Sequence, residues 1–169
     1  MNPRSLLQTK HASRTSHALS LWRILGLGLF VGLSASPTLA QDAPADSAAI
    51  RATATDYLLG FYTGDEARME RALHTDLAKR IVRPAETGPP RVDQMSAMRL
   101  VQIARSGAGT RIPEDARIME IEILDIDGDN ASIKTVATGF FDYMHLARFP
   151  NGWKIVNVLW DVIPPTEAD

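Results

Sequence analysis

The residues best suited to chemistry lie in the last third of the chain. Residues 131–149 read ASIKTVATGFFDYMHLARF, and a turn at Pro150–Gly152 leads into a second apolar segment, WKIVNVLW. Four polar residues interrupt this apolar sequence: Asp142, Tyr143, His145 and Asn157. Small-molecule sites commonly combine a few polar groups with an apolar surface. The segment therefore predicts a ligand pocket.

His145 and Asp142 are the two candidate acid–base groups. A neutral imidazole beside Tyr143 can donate to a ligand or take a proton. Asp142 serves as a general base only if burial raises its pKa. Each also has a structural interpretation, His145 as a core residue bonded to Asn157 or to the backbone, and Asp142 as an arginine partner or a loop cap. The residues alone leave both interpretations open.

The turn chemistry predicts how the two strands pair. Proline presets φ in a turn and Gly152 accepts the left-handed position that closes a three-residue hairpin loop. With Pro150–Gly152 as that loop, Phe149 pairs with Trp153. The same register puts His145 opposite Asn157 and Tyr143 opposite Leu159.

This register divides the side chains between two faces, because they alternate along a strand. One face is predicted to carry Tyr143, His145, Ala147, Trp153, Ile155, Asn157 and Leu159. The other is predicted to carry Asp142, Met144, Leu146, Val156, Val158 and Trp160. Helices cover only one apolar face, so the other is expected to be an outer face that forms a homodimer. The expected dimer patch consists of Met144, Leu146, Val156, Val158 and Trp160. A one-residue slip would instead join Asp142 to Asn157.

Helices are predicted before these strands, over Ala48–Tyr62, after a cap at Asp65, and over Ser96–Ser106. Asp46 or Ser47 is expected to cap the first of them. Apolar spacing predicts that Met98, Val101 and either Ile103 or Ala104 face the core from the third helix.

The predicted strands are Leu77–Val82, Arg117–Ile126, Ala131–Phe149 and Trp153–Val162, and Arg83–Gln94 is predicted to be a loop. The third of these strands exceeds the usual length of about 3–10 residues. We expect it to bend at Gly139 and to curve the sheet strongly.

The first 40 residues have the pattern of a secretory signal peptide. A basic segment without acids precedes the apolar run Ile24–Leu33, and a small-residue stretch ends at Ala40. The run is too short for a bilayer, which needs about 20 apolar residues, so no stable membrane anchor is expected. The predicted organisation is a leader over 1–40, a linker over 41–47, a domain over 48–163 and a tail over 164–169. We expect a secreted or periplasmic protein.

Composition and net charge argue against several classes of function. Removing the leader, which holds four of the 18 basic residues and no acid, leaves 14 basic against 20 acidic residues, a net charge of −6. Nucleic-acid binding requires a clustered basic surface, so it is not expected. The chain has no cysteine, and His74 and His145 form no short-range ligand pair, so neither a zinc site nor any other metal site is predicted. No glycine-rich phosphate loop follows a strand, and no cofactor is predicted.

Three stretches resemble the bacterial putative lumazine-binding family of the NTF2-like, or SnoaL-like, superfamily. They are DYLLGFYTGDEARMERALHTDLAKR (56–80), MSAMRLVQIARSG (95–107) and residues 131–160. The resemblance implies an α+β cone with three N-terminal helices packed on a strongly curved antiparallel sheet. Related cones enclose an apolar cavity, which holds acid–base residues in enzymes such as steroid isomerases. One departure is His74-Thr75-Asp76, where such chains often read His-Pro-Asp.

The candidate ligand-binding residues are Tyr57, Phe61, His74, Tyr143, His145, Asn157 and Trp160. Tyr57 and Phe61 are expected at the cavity mouth, and His74 at a turn on its rim. The preferred hypothesis is an exported domain that binds a small, partly aromatic molecule between helices and sheet. The alternative is a cofactor-free isomerase, hydratase or hydrolase that uses His145 or Asp142.

Overall fold

The structure, a computed structural model, describes residues 43–164. Its helices are α1 (Ala43–Thr63), α2 (Glu66–Ala72) and α3 (Ala97–Arg105), with a 3₁₀ turn at Glu114–Ala116. Its strands are β1 (Leu73–Arg83), β2 (Arg91–Ser96), β3 (Met119–Asp127), β4 (Asn130–Ala137), β5 (Phe140–Phe149) and β6 (Gly152–Val162). The predicted leader lies outside the described residues, and the α+β class is confirmed.

The six strands form one sheet in the order β2-β1-β6-β5-β4-β3. All neighbours are antiparallel except β1 and β6, which run parallel. The expectation of a wholly antiparallel sheet was therefore wrong at this one pair. The first and last strands meet in the middle of the sheet, and no local sequence pattern reports a pairing between residues about 80 positions apart.

The helices cover one face of the sheet and form the core with it. Fully or almost fully buried side chains come from both layers: Ile50 and Leu58 of α1, Leu100 and Val101 of α3, and Met144, Leu146, Ile155 and Val158 of the sheet. Each such side chain contributes about 1.5–3 kcal/mol when it leaves water. Met98 was predicted to join them but is 66% exposed. The buried stripe of α3 runs through Ala97, Leu100, Val101 and Ala104, which are three or four residues apart.

The helix caps were predicted correctly at two of three positions. Asp65 accepts a hydrogen bond from the Arg68 N–H, and Ser96 accepts one from the Arg99 N–H. α1, however, begins at Ala43, so the linker predicted over 41–47 is helical from there on.

Asp46 therefore lies in the first turn of α1 instead of capping it. Its carboxylate is buried and forms an ion pair with Arg148 on β5. An acid in the first turn also interacts favourably with the positive end of the helix dipole. Pro44 fits the same turn because its missing N–H costs no helical hydrogen bond.

Two strand predictions were wrong for reasons of polarity and turn geometry. β2 begins inside the predicted loop over Arg83–Gln94. The strand was missed because its sequence, RVDQMS, has no apolar alternation. The predicted long strand over Ala131–Phe149 is two strands, since Thr138 and Gly139 form a tight turn that pairs Ala137 with Phe140. Gly139 has φ of 88°, which favours glycine, and it reverses the chain instead of bending it.

The β5–β6 register combines a correct and an incorrect prediction. His145 does lie opposite Asn157, and Tyr143 opposite Leu159, as predicted. Phe149, however, pairs with Gly152 across a two-residue loop, and the register shifts between His145 and Leu146. A β-bulge, with Val156 as the additional residue of β6, compensates for the shorter loop.

Because of the bulge, side chains of β6 before Val156 point to the opposite faces from those predicted. Trp153 and Ile155 are buried on the same side as Val158, although they were predicted on the opposite face. The predicted dimer patch is also wrong, because Met144, Leu146 and Val158 lie under the helices. The outward side chains of these strands instead include Tyr143, His145, Asn157 and Leu159. Within residues 43–164, no helix combines the length and apolarity that crossing a bilayer requires.

Candidate ligand pocket

A cavity of about 330 Å³ lies between the helices and the inner face of the sheet. Its aromatic wall consists of Tyr57, Phe61, Phe140 and Trp160. Its aliphatic wall consists of Met69, Met95, Leu100 and Ile103. Two cationic side chains of β1, Lys79 and Arg83, complete the lining. A mostly apolar lining with few polar groups is the usual composition of a small-molecule site.

Close packing of α1 on α2 shapes one side of this cavity. Gly60 lies in the last turn of α1, and glycine within a helix is normally unfavourable by about 0.5–1 kcal/mol relative to alanine. A Cβ at this position would lie 2.9 Å from the Met69 backbone nitrogen. The missing side chain thus lets α2 approach and brings Met69 to the cavity.

Lys79 reaches the interior because of strand alternation. Leu77, Lys79 and Ile81 share the inward face of β1, and each is only 3% exposed. An ammonium group in such surroundings requires a partner, since burying an unpaired charge is very costly. Asp142 on β5, which is fully buried, forms an ion pair with it.

Two hydroxyl groups complete the environment of this pair. Lys79 Nζ donates to Tyr57 Oη over 2.7 Å, and Tyr57 Oη donates to Asp142 Oδ2 over 3.3 Å. Thr135, the cross-strand neighbour of Asp142 on β4, donates to the same carboxylate oxygen over 3.3 Å. Both carboxylate oxygens of Asp142 are therefore hydrogen-bonded without solvent.

Burial shifts the pKa values of these groups away from their ordinary values. It raises the pKa of Asp142, although Lys79, Tyr57 and Thr135 all favour the carboxylate. It lowers the pKa of Lys79, and the charge of Asp142 opposes that change. The pKa of Tyr57 is raised by burial and by the adjacent Asp142 charge, which keeps the phenol protonated. Shifts of this kind are common at functional sites.

Aromatic rings surround the Lys79 ammonium group. Its nitrogen lies 4.7 Å from the ring centroid of Trp160, 5.1 Å from that of Phe140 and 5.4 Å from that of Tyr57. These distances are within the range of cation–π attraction. Phe140 is also perpendicular to both Phe61 and Trp160, which fixes the aromatic wall.

Three of the candidate ligand-binding residues meet in this cavity. Tyr57 and Phe61 from α1 and Trp160 from β6 line it together. Trp160 lies directly opposite Asp142 in the β5–β6 pairing, so the register brings both to the same face. Lys79 was not predicted from the sequence. Its position between Leu77 and Ile81, two residues from each, nevertheless indicates a charged side chain on the inward face of the strand.

The outer face of the sheet carries three other candidates. Tyr143 and His145 are exposed there, and His145 Nδ1 lies 3.3 Å from Asn157 Nδ2. Asn157 Oδ1 also accepts a hydrogen bond from Arg80 over 2.9 Å. His145 and Asp142 project to opposite faces, so they cannot share one active site.

His74 lies apart from both groups. Its ring stacks on Phe149 with centroids 4.5 Å apart, and its Nδ1 accepts a hydrogen bond from the Asp76 N–H over 3.2 Å. Within the described part of the chain, no three His, Cys, Asp or Glu side chains are arranged to hold a metal ion.

The buried pair predicts a distinctive stability pattern. Replacing one partner, Lys79→Met or Asp142→Leu, should lower the free energy of unfolding by about 3–5 kcal/mol, because the other charge stays buried and unpaired. The double variant should recover most of this loss, since both charges are then absent. Urea denaturation of the four proteins measures these differences.

An exposed ion pair supplies the control. Arg105 and Glu66 are paired on the surface, and Arg105→Met should cost about 1 kcal/mol or less. If Lys79→Met is equally mild, or if the double variant is the least stable protein, the buried pair does not have the role described.

A family model described as "Putative lumazine-binding" matches residues 45–161. No curated protein matches the sequence. The matched segment contains every helix and strand of the fold, except for the first two residues of α1 and the last residue of β6.

Solved structures show the same fold at low sequence identity. An NTF2-like protein of unknown function from Shewanella baltica is 19% identical, with a TM-score of 0.54 over 72% of this chain and 97% of its own. One from Silicibacter pomeroyi is 17% identical, with a TM-score of 0.52 over 71% and 98%. An NTF2-like protein with a cystatin-like fold from Novosphingobium aromaticivorans is 16% identical, with a TM-score of 0.53 over 73% and 86%. The chain therefore belongs to the putative lumazine-binding family, as a small-molecule-binding domain with the NTF2-like fold.

Proposed function

We propose that this protein is an exported binding protein whose ligand occupies the cavity between α1, α3 and the inner face of the sheet. The observation that carries the proposal is the cavity of about 330 Å³, with aromatic walls around the buried Lys79. The ligand is a small, partly aromatic molecule. This revises the predicted site, because Tyr57, Phe61 and Trp160 remain in it while Tyr143, His145 and Asn157 do not.

The polar groups in the cavity support binding with a defined orientation. An ammonium group has three N–H donors. Two of those on Lys79 are directed to Asp142 and Tyr57. The third can donate to an acceptor on the ligand. The rigid aromatic walls reduce the entropy lost on binding, because few rotamers have to be fixed.

A thermal-shift screen of the purified protein with small aromatic and heteroaromatic metabolites tests this proposal. A ligand present at about a hundredfold excess over its Kd should raise Tm by about 5–15 °C. Met95→Trp, which fills the cavity, should abolish the shift. His145→Ala, on the outer face, should leave it unchanged. Loss of the shift in His145→Ala alone would instead place the ligand on the outer face.

An acid–base enzyme is the second candidate, favoured by the contact between Tyr57, Lys79 and Asp142. Tyr57 and Lys79 line the cavity, and both are hydrogen-bonded to the buried carboxylate. Such a group of shifted pKa values can hold or move a proton. NMR of any ligand found in the screen would reveal turnover. A ligand that remains unchanged after prolonged incubation counts against this candidate.

We propose homodimerisation through the outer face of the sheet, at a patch formed by Val82, Phe141, Tyr143 and Leu159. Val82 and Leu159 are each 51% exposed, and the four side chains surround one depression. Soluble monomers seldom expose large contiguous apolar patches. Lys134 Nζ lies 5.6 Å from the ring centroid of Tyr143, and Asp161 lines the same depression. A two-fold axis can bring these opposite charges together.

Light scattering measures the predicted assembly. The protein should have the mass of a dimer at micromolar concentration, and Leu159→Glu should convert it to a monomer. Met98→Glu, an exposed methionine on α3, is the matched control and should not change the mass. A wild-type monomer at this concentration contradicts the proposed dimer.

The signal pattern of residues 1–40 supports export to the periplasm or the medium. Expression of the full sequence in a Gram-negative host should yield a product whose N-terminal residue is Gln41. Mass spectrometry of the periplasmic fraction measures this. Recovery of the chain with residues 1–40 still attached, in the cytoplasm alone, would contradict export.

A further inference from the structure

We infer that the pocket selects a flat aromatic ligand that carries an anionic group, such as an aryl carboxylate, and that Arg83 binds the anion at the mouth. The inference rests on the proposed binding function and names the ligand class for the same cavity.

The charges around the cavity have one sign. Among the described residues that line it, only Lys79 and Arg83 are charged, and both are cationic. Asp142 is fully buried behind Lys79 and is not part of the lining, but it neutralises the Lys79 charge. The attraction of the cavity for an anion therefore comes mainly from Arg83.

Arg83 is positioned at the cavity wall and is only weakly paired. Its guanidinium carbon lies 5.7 Å from the ring centroid of Trp160, and its side chain is partly exposed to solvent. Its acidic neighbour Asp93 is 3.7 Å away, which is too long for a hydrogen bond. Asp93 lies closer to Arg91, at 3.2 Å. One carboxylate shared between two guanidinium groups leaves one net positive charge at the mouth.

The donor geometry of Arg83 favours a carboxylate over other polar groups. A guanidinium group has five N–H donors in a planar arrangement that matches the two oxygens of a carboxylate. Among residues 43–164, the guanidinium group of Arg83 has the ion pair with Asp93 but no side-chain hydrogen bond, so its donors are available to a ligand. Lysine, as a point charge, would not provide the same two-point contact.

The walls favour a flat ring system between the two cations. Phe140 stands at 87° to both Phe61 and Trp160, so an entering ring meets both faces and edges of aromatic side chains. Such arrangements are favourable beyond the burial of area alone. Met95 and Leu100 also line the cavity, and the flexible methionine side chain can adapt to the ligand outline.

Isothermal titration calorimetry with three probes of one shape tests the inference. The probes are 2-naphthoate, neutral 2-naphthylmethanol and cationic 2-naphthylmethylammonium. We expect 2-naphthoate to bind about tenfold more tightly than 2-naphthylmethanol, as a charge-assisted hydrogen bond predicts, and the cation to bind most weakly. The advantage of 2-naphthoate should decrease with added salt because the mouth is exposed.

Variants of three residues test whether Arg83 binds the anionic group of the ligand. Arg83→Gln should weaken 2-naphthoate about tenfold and leave 2-naphthylmethanol unchanged. Arg80→Gln is the matched control, on the same strand but on the outer face, and should affect neither probe. Asp93→Asn removes the competing carboxylate and should strengthen 2-naphthoate binding only.

The results distinguish failure of the anion inference from failure of the proposed binding function. Equal affinity for 2-naphthoate and 2-naphthylmethanol, unaffected by Arg83→Gln and Asp93→Asn, overturns the anion inference but leaves binding in the cavity intact. Failure of all three probes also overturns the inference, and the metabolite screen then decides the proposed function by itself.

Discussion

The buried ion pair between Lys79 and Asp142 is the interaction on which the interior of this domain depends. Neither charge is tolerable alone in the apolar space between helices and sheet. The pair joins β1 to β5 across the intervening strand β6, and Tyr57 connects it to α1. One polar group therefore links both layers of the fold, and it also provides the only cationic donor at the inner end of the cavity within the described residues.

Short-range chemistry made much of the fold predictable. Asp65 and Ser96 were recognisable as caps because a side-chain oxygen must satisfy the free N–H groups of the first helical turn. The turn at Gly139 was recognised as irregular but not as a reversal, since glycine permits both. The β1–β6 pairing and the edge strand β2 could not be predicted, because the first depends on distant residues and the second has no apolar periodicity.

The candidate site could be predicted only where the β5–β6 register was predicted correctly. Trp160 and Asp142 were correctly assigned to one face, but that face was taken to be the outer one. The bulge at Val156 explains part of the error, because it moves Trp153 and Ile155 inward and makes the face of Asp142 the more apolar. The alternation of apolar and polar residues along a strand reveals neither a bulge nor the face that the helices cover. Lys79 alone, as a charge within an inward apolar series, carried a usable signal.

The central position of β6 has a consequence for how the domain folds. The cavity takes Tyr57 from α1 and Trp160 from β6, so a chain that lacks either element does not contain the complete binding site. Contacts of such large sequence separation slow folding, because a long loop must close before they form. A ligand can then recognise only the finished molecule. Binding would therefore protect the whole domain at once, and a newly made chain would acquire its affinity only when β6 is in place.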